Sequence, residues 1–213
     1  MQFYEIRDPL YRFPEDDTEC SLVRITPSGP TSKCPQCGGT ISMLRWNPPY
    51  VIDIRARGRR WADLMDCTAG NLVVSETFKR IYEDYRLQGI SEFWPVETRK
   101  VRKRKALTAP IPSYFFAELE PAHVRIDSAA SGVRRSEPPT CTLCEQGGTL
   151  RRMDRIVIRE DTWNGEDVFS LLNSPGHIMA SERLRFLCEA NNLANVYLVP
   201  AEDVRIDYTF GKE

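Results

Sequence analysis

Histidine is almost missing from this 213-residue chain, with His123 and His177 the only two. Its scarcity thins out the Ser/His and Cys/His hydrolases and the commoner metalloenzymes, all of which lean on imidazole. An excess of either charge is missing too. Lys+Arg 29 stand against Asp+Glu 30, a formal net charge of -1, so no global positive field draws the protein to nucleic acid or an anionic membrane. No apolar run approaches the ~18–20 residues of a membrane helix, and the opening MQFYEIRDPLYRF lacks the basic and apolar regions of a signal peptide. The expectation is a cytoplasmic protein without membrane contact. With 41% hydrophobic and 28% charged residues, disorder and collagen-like repeats are excluded as well.

What the chain does have is cysteine, at positions 20, 34, 37, 67, 141, 144 and 188. An odd count without a signal peptide argues for thiols or thiolate ligands in a reducing compartment. Cys34-Pro-Gln-Cys37-Gly38-Gly39 has the form of a zinc knuckle, two thiolates on a tight turn with glycine behind the second to allow positive φ. Cys141-Thr-Leu-Cys144-Glu145-Gln146-Gly147-Gly148 is a looser copy, and Glu145 in the glycine's place leaves the tightness of that turn open. Cys34, Cys37, Cys141 and Cys144 would complete a tetrahedron around one structural Zn2+ per chain. Ordinary ribbons space such pairs by ~15–20 residues. Here 103 residues intervene, so the metal would have to staple two parts of the chain together. The competing readings are a degenerate site that holds nothing and redox or chance pairs. A thioredoxin-like site would open a long helix where Gly38-Gly39 forbids one, and a catalytic zinc would need an open position that four thiolates do not leave.

Self-comparison adds a second pattern. At an offset of 106, Gly70-Asn-Leu-Val-Val-Ser75-Glu76 meets Gly176-His-Ile-Met-Ala-Ser181-Glu182. Ser75 and Ser181 are natural N-caps, each followed by a glutamate suited to the positive end of a helix. Phe78, Ile81, Tyr82 and Tyr85 then recur at helical spacing, matched by Leu184, Leu187 and Cys188. Gly89 and Asn195 follow as the residue types that accept the left-handed conformation ending a helix. Strands are expected over 50–57, 90–96, 155–159 and 196–199, and the echoed Val124-Arg-Ile-Asp127 and Val204-Arg-Ile-Asp207 each suggest a closing strand. The fold class this predicts is α+β: two duplicated halves, each a CxxC knuckle, short antiparallel strands and one amphipathic helix. The halves would be residues 1–127 and 141–213, joined by a linker over 128–140, in one compact unit.

The CxxCG knuckle, the degenerate second CxxC and the LVVSE-type helix entry resemble the double-CxxCG-motif family of myxobacterial paralogues. The stretch from Gly89 to Val96 is also similar to one that recurs in a broader class of bacterial immunity proteins. The resemblance implies an immunity protein paired with a polymorphic toxin, its partner the cognate toxin domain. It implies no enzymatic activity and carries over no catalytic residue.

Other features stay bland or open. Arg99-Lys-Val-Arg-Lys-Arg-Lys105 packs six positive charges into seven residues. It reads first as a solvated loop, with an acidic partner or nucleic acid as the alternatives. Nucleic acid is disfavoured because no aromatic interleaves with the charges, yet a zinc-ribbon-type nucleic-acid-binding or regulatory protein remains the second functional reading. Glu15-Asp16-Asp17 with Glu19 reads as a wet acidic run. His177 reads as a turn residue rather than a ligand, and His123 has no evident partner. Cys20, Cys67 and Cys188 read as small buried hydrophobes, while Trp46, Trp61, Trp94 and Trp163 fit either a core or an interface.

Overall fold

A computed structural model describes residues 1–7, 18–23, 29–67 and 71–208. The run Glu15-Asp16-Asp17 and Gly70 lie outside these residues. The expected α+β fold of two equivalent halves is corrected: 35% of the structure is strand and 13% helical, with two α-helices among the described residues. The physical reason lies in segments with little period-2 alternation in the sequence, which became strands because tertiary pairing selects them.

The larger sheet holds six strands: β2 (Thr18–Leu22), β3 (Tyr50–Ala56), β4 (Leu64–Asp66), β5 (Leu72–Ser75), β6 (Ile90–Lys103) and β7 (Tyr114–Leu119). Their order is β2-β3-β6-β7-β5-β4, and the sheet curls into a nearly closed, barrel-like form. The long β6 makes this possible by changing partners along its length. Residues Ile90 to Pro95 pair antiparallel with β7, and Val96 to Lys103 pair parallel with β3, with a bulge at Arg99. Alternate side chains fill the interior, among them Trp46, Tyr50, Ile52, Ile54, Met65, Val73 and Phe116. The two edge strands meet at a seam. There Cys20 on β2 and Cys67, just beyond β4, form a disulfide with a Cα separation of 5.2 Å. These two cysteines are therefore a cross-link, not the independent small hydrophobes the sequence suggests.

A four-stranded sheet follows the order β10-β11-β1-β12, where β1 is Phe3–Ile6, β10 Val168–Ser170, β11 Ile178–Ser181 and β12 Leu198–Pro200. The amino-terminal strand thus lies between strands from the far end of the chain, Phe3 opposite Ser181 and Ile6 opposite Leu198. A three-stranded sheet of β8 (Arg134–Arg135), β9 (Leu150–Met153) and β13 (Ile206–Asp207) sits over a second core of Val124, Ile126, Met153, Leu171 and Val204. The strand expected over 155–159 is reduced to a single bridge, Ile126 opposite Ile158. The segment 128–140 carries β8 and the fully buried Ser131, whose hydroxyl accepts from the Val157 amide at 3.0 Å.

The two helices start where the sequence expects and bury Phe78, Ile81 and Tyr82 and Leu184, Leu187 and Cys188, but Tyr85 caps the first of them exposed rather than extending its apolar stripe. Helix α1 (Glu76–Asp84) and helix α2 (Glu182–Ala190) have nine residues each. Ser75 Oγ accepts from the Phe78 amide and Ser181 Oγ from the Leu184 amide, both at 3.1 Å. Beyond the helices, Arg86 and Asn192 take φ near +50°, and Gly89 and Asn195 are again left-handed. A reciprocal clasp joins the two units. Asp63 accepts from Ser75 Oγ at 2.6 Å and from the Ala194 amide at 2.8 Å. Asp167 accepts from Ser181 Oγ at 2.6 Å and from the Gln88 amide at 3.1 Å. Each cap is thus held by a carboxylate that also grips the loop after the other helix. The apolar faces of both helices share one core with Tyr4, Leu64, Leu72 and Ile178. The likeness of the units ends with their immediate strands, because the sheets around them differ in size and order.

Candidate metal centre

The two CxxC turns come together although 107 positions separate Cys34 from Cys141. In the first, the Gly38 amide donates to the Cys34 carbonyl at 2.8 Å, and Gly38 takes φ +71°. In the second, the Glu145 amide donates to the Cys141 carbonyl at 3.0 Å, and Glu145 takes φ +50°. The question its substitution for glycine raised is answered by its carboxylate. Arg125 and Ser128 both donate to it, and Asn173 Nδ2 donates at 3.1 Å. Three polar anchors offset the ~1–2 kcal/mol that a non-glycine residue costs in this conformation.

The turns face one another across a small polar interface. Gln36 Nε2 donates to Thr142 Oγ1 at 3.1 Å, and Gln146 Nε2 donates to the Thr40 carbonyl at 2.6 Å. Between them the four sulfurs converge: Cys34 to Cys141 is 3.9 Å, Cys37 to Cys144 is 3.6 Å, and all four lie within 4.8 Å of one another. A regular tetrahedron with metal–sulfur bonds of ~2.3 Å has edges of about 3.8 Å. The cluster therefore has the size and donor set that a zinc ion requires. Cys34, Cys141 and Cys144 are buried, with Ile41 and Leu172 around them, and Cys37 reaches the surface.

The environment favours thiolates unevenly. The amides of Cys144 and Leu143 pull Cys141 down to about 7, whereas burial pushes Cys144 up to about 12. Burial pulls the pKa of Arg135 down, partly offset by the nearby Glu145 carboxylate. Gln36, Thr142, Gln146 and the anchors of Glu145 carry no motif that could have named them in advance; only the cysteine spacing was visible. Cys188 lies apart on α2, buried, with its thiol pushed up to about 12 by that burial.

The other candidates resolve differently. His177 precedes β11 as a turn residue and pairs with Glu5. His123 Nε2 reaches Glu166 Oε1 at 2.7 Å. A cleft of about 220 Å3 beside the cysteine turns is lined by Met43, Leu44, Phe116, Leu119 and His177. Trp46 stacks on Phe116, Trp163 packs edge-on to Phe3, and the Trp94 indole donates to Glu118 at 2.8 Å, so these rings serve the core and its rim. The basic run is corrected from loop to strand, since Arg99 to Lys103 belong to β6. Among the described residues no helix is long and apolar enough to cross a membrane.

Comparison with curated proteins gives no match for the chain. Residues 12–203 do match the Immunity protein family (Imm11), and over that span the chain belongs to this family of immunity proteins.

Proposed function

We propose that this protein protects the cell producing it by binding a cognate polymorphic toxin in the cytoplasm, in equal stoichiometry and without catalysis. The family match across residues 12–203 carries this reading. A neutralising protein needs a rigid body and one complementary face, and no chemistry of its own. The four-cysteine cluster supports a structural Zn2+ held by Cys34, Cys37, Cys141 and Cys144, which would fasten the segment 1–127 to the segment 141–213. Four thiolates leave no position for substrate, so the metal would contribute stability to the body that meets the toxin.

The test is co-expression with the toxin domain encoded beside this gene. Growth should be restored in proportion to the amount of this protein, and the two chains should co-purify one to one. Rescue at strongly substoichiometric levels would mean turnover of the toxin or its product, and would end the binding reading.

A further inference from the structure

We infer that the exposed reach of β6 past Pro95, together with Arg55 on β3, is the surface that receives the toxin, and that the toxin face it meets is acidic. The inference rests on the reading of the protein as a toxin binder and adds the place and the charge of the contact. From Val96 onward the ladder partner of β6 is β3 alone, and residues 99–106 are all exposed. Four of the six cations, Arg99, Lys100, Arg102 and Lys103, therefore stand on a strand with fixed spacing, and Arg104 and Lys105 follow directly beyond its end. The register sets Arg55 directly opposite Arg102, a juxtaposition of like charge that disfavours the free fold.

Two acids on the neighbouring strands are already committed. Asp53 takes the Arg99 guanidinium at 2.6 Å, and Glu19 takes Arg57. Lys103 lies over the Trp61 ring, 5.8 Å from its centre. Among the described residues Arg55, Lys100, Arg102, Arg104 and Lys105 make no ion pair. An exposed array of this kind on a protein of net charge -1, most of its cations unpaired among the described residues, accelerates encounter with an oppositely charged face and rejects a second copy of itself. Nucleic acid is the weaker occupant, since the nearby indole of Trp61 is occupied by Lys103 and donates to the Ala109 carbonyl at 3.0 Å, leaving no free ring for a base.

The experiment compares the wild type with the triple variant Lys100→Glu, Arg102→Glu, Arg104→Glu by titration with the neighbouring-gene toxin domain at about 0.05 and 0.3 M NaCl. Arg102→Glu places a carboxylate opposite Arg55, so the variant should melt no lower than the wild type. The triple Gln variant at the same positions serves if it does not. Affinity should fall at least about tenfold at low salt, and the wild type alone should weaken as salt rises. Arg102→Lys should bind as the wild type does. Undiminished affinity in a folded triple variant would overturn the inference and leave the proposed function standing, whereas a wild type that does not bind the toxin would remove both. Binding of single-stranded homopolymer at about 0.15 M salt, lost in the triple variant, would give this surface to nucleic acid and overturn the assignment to a protein.

Discussion

Glu5 is a carboxylate on a strand whose four residues are all buried. Burial alone would raise its pKa, but His177 and Arg7 together outweigh that and hold it below the ordinary 4.5. A folded value below the unfolded one stabilises fully above pH 4.5, and the stabilisation is lost as the pH falls through the folded value. Wild-type melting temperature should therefore drop on acidification below about 4.5, and Glu5→Gln should flatten that profile while costing about 1–3 kcal/mol at neutral pH. Thermal melts across a pH series check both. The pair was invisible in the sequence because Glu5 and His177 are 172 positions apart, whereas Ser75 and Ser181 were legible because an N-cap is decided within three residues of itself. Cys20 and Cys67 went unrecognised for the first reason: nothing local says that their strands meet at a seam.

At the level of elements, the loops that follow the helices matter as much as the helices. Gly89, at φ +105°, approaches β10 so closely that an added Cβ would lie 1.8 Å from the Val168 carbonyl oxygen. Gly89→Ala should cost more than about 3 kcal/mol, because both the conformation and the contact refuse a side chain. Ser181→Ala should cost about 1–2 kcal/mol, losing the cap and one partner of the buried Asp167. Urea denaturation of the two variants should rank them in that order; an equal or smaller loss for Gly89→Ala would show that the loop gives way. The helices were legible because apolar spacing and cap agree within nine residues; their ends were not, since Arg86 and Asn192 turn left-handed three residues before Gly89 and Asn195. The second half of β6 was not. Its four cations, Arg99, Lys100, Arg102 and Lys103, carry no alternation for a period of two to reveal, and their strand conformation comes from β3 beside them.

Across the whole molecule, the cysteine pairing was legible from motif spacing, yet the sheet order was not, since β1 finds its neighbours only at residues 178–200. Protein purified without chelator should contain about one zinc per chain, and both Cys34→Ser and chelation should lower its melting temperature by more than about 5 °C. Elemental analysis with matched melts decides this, and metal loss without any shift in melting would deny the site its stapling role. The placement of β1 also bears on how the protein is made. Its strand leaves the ribosome before its neighbours and must wait for residues some 175 positions later, which at ~5–20 residues per second takes on the order of 10–40 s. Cys34 and Cys37 wait in the same way for Cys141 and Cys144. On the proposed function, each newly made chain would pass through an interval without protective capacity, and a cell facing a fast-acting toxin would depend on a stock of finished molecules rather than on the rate at which new ones begin.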